Sequence, residues 1–405
     1  MLKPIFALSL VNVLGFTLLI PVFPYVVEQY HGGAFAYGLL LTCYPLFQFF
    51  GAPILGTLSD HYGRRPILII SQLGTLLSWF VFASAWFVPN ITVFGVGLPL
   101  FVLGFSRIVD GATGGNIAVA TAFVADVTTP KTRTKIFGFI GAVVGVGLMI
   151  GPAIGGFTSD LGYGYLGPAV FAILLSTFTL IWMIGWLPES LKPENRSQHY
   201  NFHLWSQINV VAKIAKFENN NMLFRMLNIR LFFNLAFNSY TAIVSLVFIQ
   251  KFNLNPTNLG VIFLILGLFL IVNQGFVVNW VSQRLGDLRT FYIGQWCMMG
   301  GFILYTQLSK LWMLFPISYI ANLGFSLGFP TFKAILTNAT PDDRQGEVTG
   351  LDESIVSLSS AIAPVLSSVI YKQIGMWCFV VFAGFLFVPY AYLRLLGHRK
   401  RLSRV

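Results

Sequence analysis

The chain has 405 residues, of which 56% are hydrophobic and only 10% are charged. Soluble globular proteins carry about 25% charged residues, so this composition excludes a soluble fold and indicates a polytopic membrane protein. A formal net charge of +11 would suggest a nucleic acid partner for a soluble protein. Here most basic residues fall on one predicted side of the membrane, which accounts for the positive charge, so we expect no nucleic acid partner.

Apolar runs predict twelve helices, because roughly 20 apolar residues cross the hydrocarbon core of a bilayer. The first run continues through Pro21 and Pro24 without a cleavage site of small residues, so we interpret it as a spanning helix and not as a signal peptide. The predicted fold is an all-α membrane protein. The predicted helices cover 5–27, 35–58, 67–88, 98–125, 133–157, 165–187, 225–250, 257–281, 290–308, 312–339, 346–371 and 375–396.

The distribution of Lys and Arg predicts the topology. With a cytoplasmic N terminus, twenty of the 25 Lys and Arg residues, Arg230 among them, lie on the cytoplasmic side. Only Lys251, Lys310 and Lys372 lie outside, and Arg107 and Lys333 lie within helices. This positive-inside bias predicts that both termini are cytoplasmic.

Residues 188–224 separate six predicted helices from six, and they are richer in Pro, Glu, Lys and Asn than the helices. We therefore predict an N-terminal six-helix bundle (1–187), a cytoplasmic linker (188–224) and a C-terminal six-helix bundle with a basic tail (225–405). Apolar linker residues at helical spacing predict a helix on the membrane surface, or one packed on the protein. These residues are Trp205, Ile208, Val211 and Ile214.

A charged loop at 56–66 separates the second and third predicted helices. Gly56 and Gly63 permit a sharp turn, and Asp60 and Arg64 lie one helical turn apart, within pairing distance. The run G-x-L-x-D-x-x-G-R-R-P resembles the loop 2–3 signature of the major facilitator superfamily and departs from it only at His61, where the family usually has a basic residue. The resemblance implies two pseudo-symmetric six-helix bundles with a substrate site between them.

Asp126 follows the fourth predicted helix and matches an acidic residue that many family members place near this loop. The resemblance implies that Asp126, Asp60, Arg64 and Arg65 form a cytoplasmic gate, a charge cluster that breaks during alternating access. The alternative is that Asp126 only caps its loop and offsets nearby basic residues.

The fourth helix places Arg107 and Asp110 one turn apart inside an apolar segment. Charges are expensive in lipid, so these two should face a cavity or each other. The run 107–116 resembles the helix 4 motif R-x-x-x-G-x-x-G of proton-coupled family members. In one interpretation Asp110 accepts a proton, with an affinity set by burial and by Arg107. In the other, the two residues form a permanent ion pair that stabilises the bundle.

The fifth helix carries small residues four apart, which make a flat face for close helix packing. Pro152 removes a backbone hydrogen bond and bends the helix. The run resembles the antiporter signature G-x-x-x-G-P-x-x-G-G, carried here by Gly147, Gly151, Pro152, Gly155 and Gly156. The resemblance favours exchange or export over uptake.

The first helix resembles that of tetracycline-type drug exporters, with Asn12 at a position that is commonly an aspartate. Asn12 cannot carry a proton, so either the proton takes another route or the coupling itself is absent. The asparagine can still hydrogen-bond a substrate.

The second half supplies further candidates in Lys333, Asp352 and Glu353. They form a cytoplasmic-side ion-pair cluster, a second proton station or a contact for a charged substrate. Polar residues inside helices are candidates for the substrate cavity together with Asn12 and Lys333, although each is alternatively a helix-packing contact. They are Gln48, Gln72, Asn116, Asn234, Asn238, Asn273, Gln274 and Asn322.

Other chemistries lack support in the sequence. No G-x-x-x-x-G-K-[ST] loop is present, so an ATP-driven pump is not indicated. The five histidines are scattered, and Cys43, Cys297 and Cys378 lie inside apolar runs, so we predict neither a disulfide framework nor a metal site. We predict no cofactor and no enzymatic activity.

Together these features predict a secondary active transporter of the bacterial cytoplasmic membrane, similar to the tetracycline-type drug:proton antiporters and monomeric as is usual in the family. Its partners would be a small amphipathic organic substrate, protons and the lipid bilayer. The alternatives are a metabolite or siderophore transporter in the same fold, importing or exporting, and a membrane receptor or scaffold that does not cycle.

Overall fold

The computed structural model describes residues 2–128, 130–196, 209, 214, 221–338, 340 and 345–387. These residues are almost entirely helical, because a helix satisfies every backbone polar group internally in a bilayer. Within them, nine helices are long and apolar enough to cross a membrane. The predicted all-α membrane fold is confirmed.

The chain divides into two compact units, and each is described by itself. The first unit comprises Met1–Ile208 and Phe248–Gly267, and the second comprises Asn209–Val247 and Leu268–Val405. The sequence-based division at 188–224 stays a prediction, and the predicted linker helix lies almost wholly outside the described residues.

The described residues of the first unit before residue 197 form eight α-helices and one short hairpin, and the unit also includes the end of the helix Asn221–Phe252 and most of the helix Pro256–Val272. Strands β1 (Thr92–Val93) and β2 (Val96–Gly97) pair antiparallel, with Thr92 opposite Gly97. The helices are α1 (Lys3–Thr17), α2 (Phe23–Gln29), α3 (Ala34–Tyr62), α4 (Arg64–Ser84), α5 (Leu98–Thr113), α6 (Asn116–Val127), α7 (Pro130–Ser159) and α8 (Leu166–Trp186).

The second half of the chain continues with helices whose boundaries resemble the predicted ones. A π-helical segment, Asn273–Val277, interrupts one of them. The helices are α9 (Asn221–Phe252), α10 (Pro256–Val272), α11 (Val278–Leu285), α12 (Asp287–Tyr305), α13 (Leu314–Asn338), α14 (Gln345–Ile374) and α15 (378–387).

Two predicted helices are broken in the structure, and here the predicted continuity was wrong. The first, predicted over 5–27, ends at Thr17 and resumes at Phe23. Prolines at 21 and 24 contribute, since each lacks a backbone N–H group. The fourth, predicted over 98–125, is interrupted at Gly114 and Gly115.

Helix α8 shows how the surface faces lipid. Leu174, Phe178 and Ile181 recur at helical spacing and are 65%, 59% and 61% exposed. An exposed apolar stripe of this kind is expected where a helix contacts hydrocarbon. The chain is therefore a multi-pass membrane protein.

Candidate functional site

The loop between α3 and α4 holds a network of charges inside the first unit. Gly63 adopts a φ of +106°, which favours glycine, and lets α4 begin directly after α3. The Arg64 guanidinium then contacts Asp60 Oδ1 at 2.5 Å and Asp126 Oδ2 at 3.2 Å. The structure thus brings together the predicted gate residues on α3, α4 and α6, although their role as a gate stays a prediction.

Glu189 is a member of this network that the sequence did not reveal. Its carboxylate accepts hydrogen bonds from the backbone N–H groups of Arg64 at 2.9 Å and Arg65 at 3.2 Å. It therefore caps α4, whose first N–H groups have no partner within the helix. Asp126 also accepts a hydrogen bond from Ser190 at 2.9 Å, so residues after α8 tie down the loop. The only signal was Glu189 itself, an acid in a segment interpreted as linker.

The glycine face of α7 packs closely against neighbouring helices in the first unit. A Cβ on Gly147 would lie 2.9 Å from Val13 Cγ1, and one on Gly155 would overlap the Leu18 carbonyl oxygen. On the other side, a Cβ on Gly156 would overlap the carbonyl oxygen of Pro256. Glycines thus bring backbones into contact, as the small-residue face predicts.

We expect Gly156→Ala to destabilise the protein by about 1–3 kcal/mol, because the added methyl group meets backbone that cannot repack. Gly145→Ala is the matched control on the same helix, since a Cβ there meets no described atom within 4 Å. The control should be neutral or stabilising by about 0.5–1 kcal/mol, as Ala favours helix over Gly. Thermal unfolding in detergent measures both variants, and equal melting temperatures would contradict the packing.

Arg107 and Asp110 form a buried ion pair within α5. Arg107 Nη1 lies 3.0 Å from Asp110 Oδ2, and the two side chains are only 3% and 5% exposed. The guanidinium lies over the rings of Trp79, at 4.5 Å, and Phe82, at 5.1 Å, both on α4. Cation–π contacts of this kind stabilise a cation away from water. Among the described residues, none accepts a hydrogen bond from Arg107 Nη2.

The break between α5 and α6 leaves backbone carbonyls that side chains satisfy. Gln48 Nε2 donates to the Gly114 carbonyl at 3.0 Å and to Tyr44 Oη at 3.1 Å. Ser71 donates to the Thr113 carbonyl. A discontinuous helix with satisfied carbonyls is tolerated at membrane depth only where protein or water surrounds it, and it commonly marks a binding region in transporters.

Two of the cavity candidates form a hydrogen bond with each other beside this break. Asn12 Nδ2 on α1 donates to Asn116 Oδ1 on α6 at 2.7 Å, and Asn116 is fully buried. Another candidate, Gln72, donates to the Ser176 carbonyl at 3.3 Å and is also fully buried. The Gln72 contact joins α4 to α8 and is a packing contact.

A small cavity lies beside the Arg107–Asp110 pair. Its volume is about 10 Å³, which accommodates one water-sized group. Ligand pockets are usually hundreds of Å³, so this cavity does not enclose an organic substrate in the observed conformation. Its lining is formed by Phe16, Leu19, Phe23, Leu40, Leu41, Tyr44 and Arg107.

The second unit contains a second buried ion pair that the sequence did not predict. Arg230 on α9 donates from Nε to Asp352 Oδ1 at 2.7 Å and from Nη2 to Oδ2 at 3.3 Å. The side chains are 1% and 2% exposed, and the guanidinium lies over Phe329 and Phe332. Arg230, predicted on the cytoplasmic side, is thus buried within the protein and paired with Asp352, while its side of the membrane stays a prediction.

Lys333 and Glu353 lie closer to the surface of the same unit. Their charged atoms are 3.9 Å apart, and the side chains are 53% and 63% exposed. Asp352 thus pairs with Arg230, while Lys333 pairs with Glu353. The two asparagines on α9 are bonded locally, since Asn234 donates to the Arg230 carbonyl and Asn238 to the Asn234 carbonyl, each at 2.9 Å.

Three cavity candidates lie around the π-helical segment of the second unit. Asn273 is fully buried and donates to Asn322 Oδ1 at 3.4 Å. Gln274 is exposed. The structure therefore distributes most of the predicted cavity residues between the α5–α6 break of the first unit and α9 and the π-helical segment of the second. Gln72 lies between α4 and α8 instead, and Lys333 lies on α13.

Comparison with known proteins agrees with this architecture. The chain is 30% identical over 378 residues to a tetracycline resistance protein, class H, of Pasteurella multocida, covering 92% of this chain and 90% of that protein. It is 28% identical over 394 residues to multidrug resistance protein 2 of Bacillus subtilis (strain 168), covering 95% and 93%.

Solved structures show the same fold. The human organic anion transporter MFSD10 (TETRAN) matches with a TM-score of 0.72 and 22% identity, covering 96% of this chain and 97% of that one. The relatives are transporters and not enzymes, which confirms the expectation for this chain. The family model of the Major Facilitator Superfamily matches residues 5–351 and 227–403. The chain therefore belongs to the Major Facilitator Superfamily.

Proposed function

We propose that this transporter is a proton-coupled antiporter of the bacterial cytoplasmic membrane that exports small amphipathic organic molecules by alternating access. The observation that carries the proposal is the Arg107–Asp110 pair, which lies buried in α5 beside a helix break. Ionisable residues inside a membrane segment are expensive and mark ion or proton pathways.

The geometry suits Asp110 to reversible protonation. Arg107 contacts the carboxylate through one nitrogen, Nη1, while Nη2 has no hydrogen bond to any described residue. When a proton neutralises Asp110, the attraction between the two side chains falls and the guanidinium can turn to another acceptor. The Trp79 and Phe82 rings keep the cation stabilised during that change. Asn12 supplies no proton, so the carboxylate on α5 takes that role.

Export of amphipathic organic molecules is supported by the relatives and by the packing of α7. Resistance proteins cover about nine-tenths of this chain, and the small-residue face of α7 lets helices meet closely at Gly155 and Gly156. The Arg64 network with Asp60 and Asp126 would break and re-form on the cytoplasmic side. The positive-inside bias supports this orientation.

Transport of an organic anion is a second candidate function. The half-exposed Lys333 favours it, since an exposed ammonium group can pair with a carboxylate. Glu353 lies 3.9 Å from that ammonium and offsets its charge, so we rank this candidate second.

The test uses the purified full chain in proteoliposomes that contain a pH-sensitive dye. Tetracycline, tetraphenylphosphonium and an anionic hydroxamate siderophore are added in turn, and internal pH and substrate movement are recorded together. Protein-free liposomes are the control. We expect substrate-dependent proton movement with tetracycline or the cation.

Different outcomes separate the candidates. Coupled movement of the siderophore alone would replace drug export by anion transport. Substrate movement without proton movement would contradict coupling and indicate facilitated diffusion. Binding without any movement would favour a receptor that does not cycle.

A further inference from the structure

The strongest unassigned feature of the second unit is the π-helical turn in the middle of a long apolar helix. Helix α10 ends at Val272, the π-helical segment covers Asn273–Val277, and α11 continues from Val278. A π-bulge is rare and appears frequently at functional sites. The polar run Asn273-Gln274-Gly275 interrupts an otherwise apolar segment at this point.

The π-helical segment is held by a network of neutral polar groups. Asn273 Nδ2 donates to Asn322 Oδ1 at 3.4 Å, and Asn273 Oδ1 accepts from Tyr319 Oη at 3.3 Å. Ser326 also donates to Asn322 Oδ1 at 3.3 Å. The Tyr319 ring meets Phe269 edge to face, with centroids 5.1 Å apart. The network fixes both Asn273 and an aromatic wall beside it.

Gln274 is the open member of this group. Its side chain is exposed and has no hydrogen-bonding partner among the described residues. An unpartnered amide in hydrocarbon costs several kcal/mol, so Gln274 should face water or a ligand and not lipid.

The helical positions support this orientation. Large exposed apolar residues, expected to face lipid, recur at Leu268, Val272 and Phe276. Gln274 instead follows Gly260 and Gly267 at seven-residue spacing, which places it on the face of those glycines. Ile271, one turn before Gln274 and 41% exposed, adjoins the same face.

We propose that Gln274, presented by the π-helical segment that Asn273, Asn322 and Tyr319 hold in place, is a recognition site for the uncharged carbonyl and hydroxyl oxygens of a ligand. The amide offers one acceptor and two donors, which suit carbonyl and hydroxyl groups. The inference rests on the proposed function, because it names the chemistry that the exported substrate presents to this site.

The test compares Gln274→Leu with the wild-type protein, measuring both binding in detergent and flux in proteoliposomes. Tetracycline is the oxygen-rich planar probe, and tetraphenylphosphonium is a cation without hydrogen-bonding groups. Loss of one to two hydrogen bonds should weaken tetracycline binding by about 5–10-fold and leave binding of the cation unchanged. Gln283→Leu, also at an exposed position, is the matched control and should change neither.

The outcomes distinguish this inference from the proposed function. Three results would overturn the recognition site. The first is that Gln274→Leu binds each probe as tightly as the wild type does. The second is that the substitution weakens binding of both probes by the same factor, and the third is that the wild type does not bind tetracycline. Selective loss of tetracycline binding without any flux in either protein would support the site and reject transport.

Discussion

Asp110→Asn is expected to abolish substrate-driven proton flux, reducing it to the level of protein-free liposomes. The amide has nearly the shape of the carboxylate but cannot take up a proton, so it resembles the protonated state permanently. Its oxygen can still accept a hydrogen bond from Arg107, which lies 3.0 Å from the native carboxylate. We therefore expect the variant to fold and to retain substrate–substrate exchange across the membrane. The pH-sensitive dye and radiolabelled counterflow measure the two activities in the same vesicles.

Glu28→Gln is the matched control for this variant. It makes the same change of acid to amide at an exposed position in α2, so its coupling should equal that of the wild type. Retained proton flux in Asp110→Asn would make the Arg107–Asp110 pair structural. The coupling carboxylate would then be sought at Asp352 or Glu353.

Arg230→Met is expected to have the largest effect on stability, lowering the free energy of unfolding by about 3–5 kcal/mol. The substitution leaves the Asp352 carboxylate, 2% exposed, without its bidentate partner. The double variant Arg230→Met/Asp352→Leu removes both charges and should recover most of the loss, because apolar replacements of a buried pair are often neutral.

Thermal unfolding in detergent compares the single and double variants. Equal destabilisation of both would show that the pair is not responsible, and that shape around Phe329 and Phe332 matters instead. If the double variant also transports with normal proton coupling, Asp352 is excluded as the coupling residue, because this variant lacks its carboxylate.

Much of the fold was predictable because hydropathy and helix length are local properties. Long apolar runs can satisfy their backbone in lipid only as helices, so the all-α class followed from composition. The charged loop was equally readable, since Asp60 and Arg64 are four residues apart and Gly63 stands where a positive φ is needed. The Arg107–Asp110 contact also followed from its spacing within one helix.

Contacts between distant segments were not predictable in the same way. Arg230 and Asp352 are 122 residues apart, and nothing in either local sequence identifies the partner. Glu189 lies in a polar segment and caps a helix 125 residues earlier. The π-helical turn at Asn273 depends on polar groups of α13, which single-segment periodicity cannot represent.

The sequence by itself determined the membrane class, the helical fold, the family motifs and the charged pairs within one or two turns, because each depends on the spacing of residues along one segment. Only the tertiary structure decided which polar residues pack inside, such as Asn116 and Gln72, whose amide nitrogen donates to a backbone carbonyl, and that Gln274 is exposed without a hydrogen-bonding partner among the described residues. Burial and hydrogen bonding depend on which residues folding brings together, and the spacing of residues along one segment does not specify the distances between distant segments.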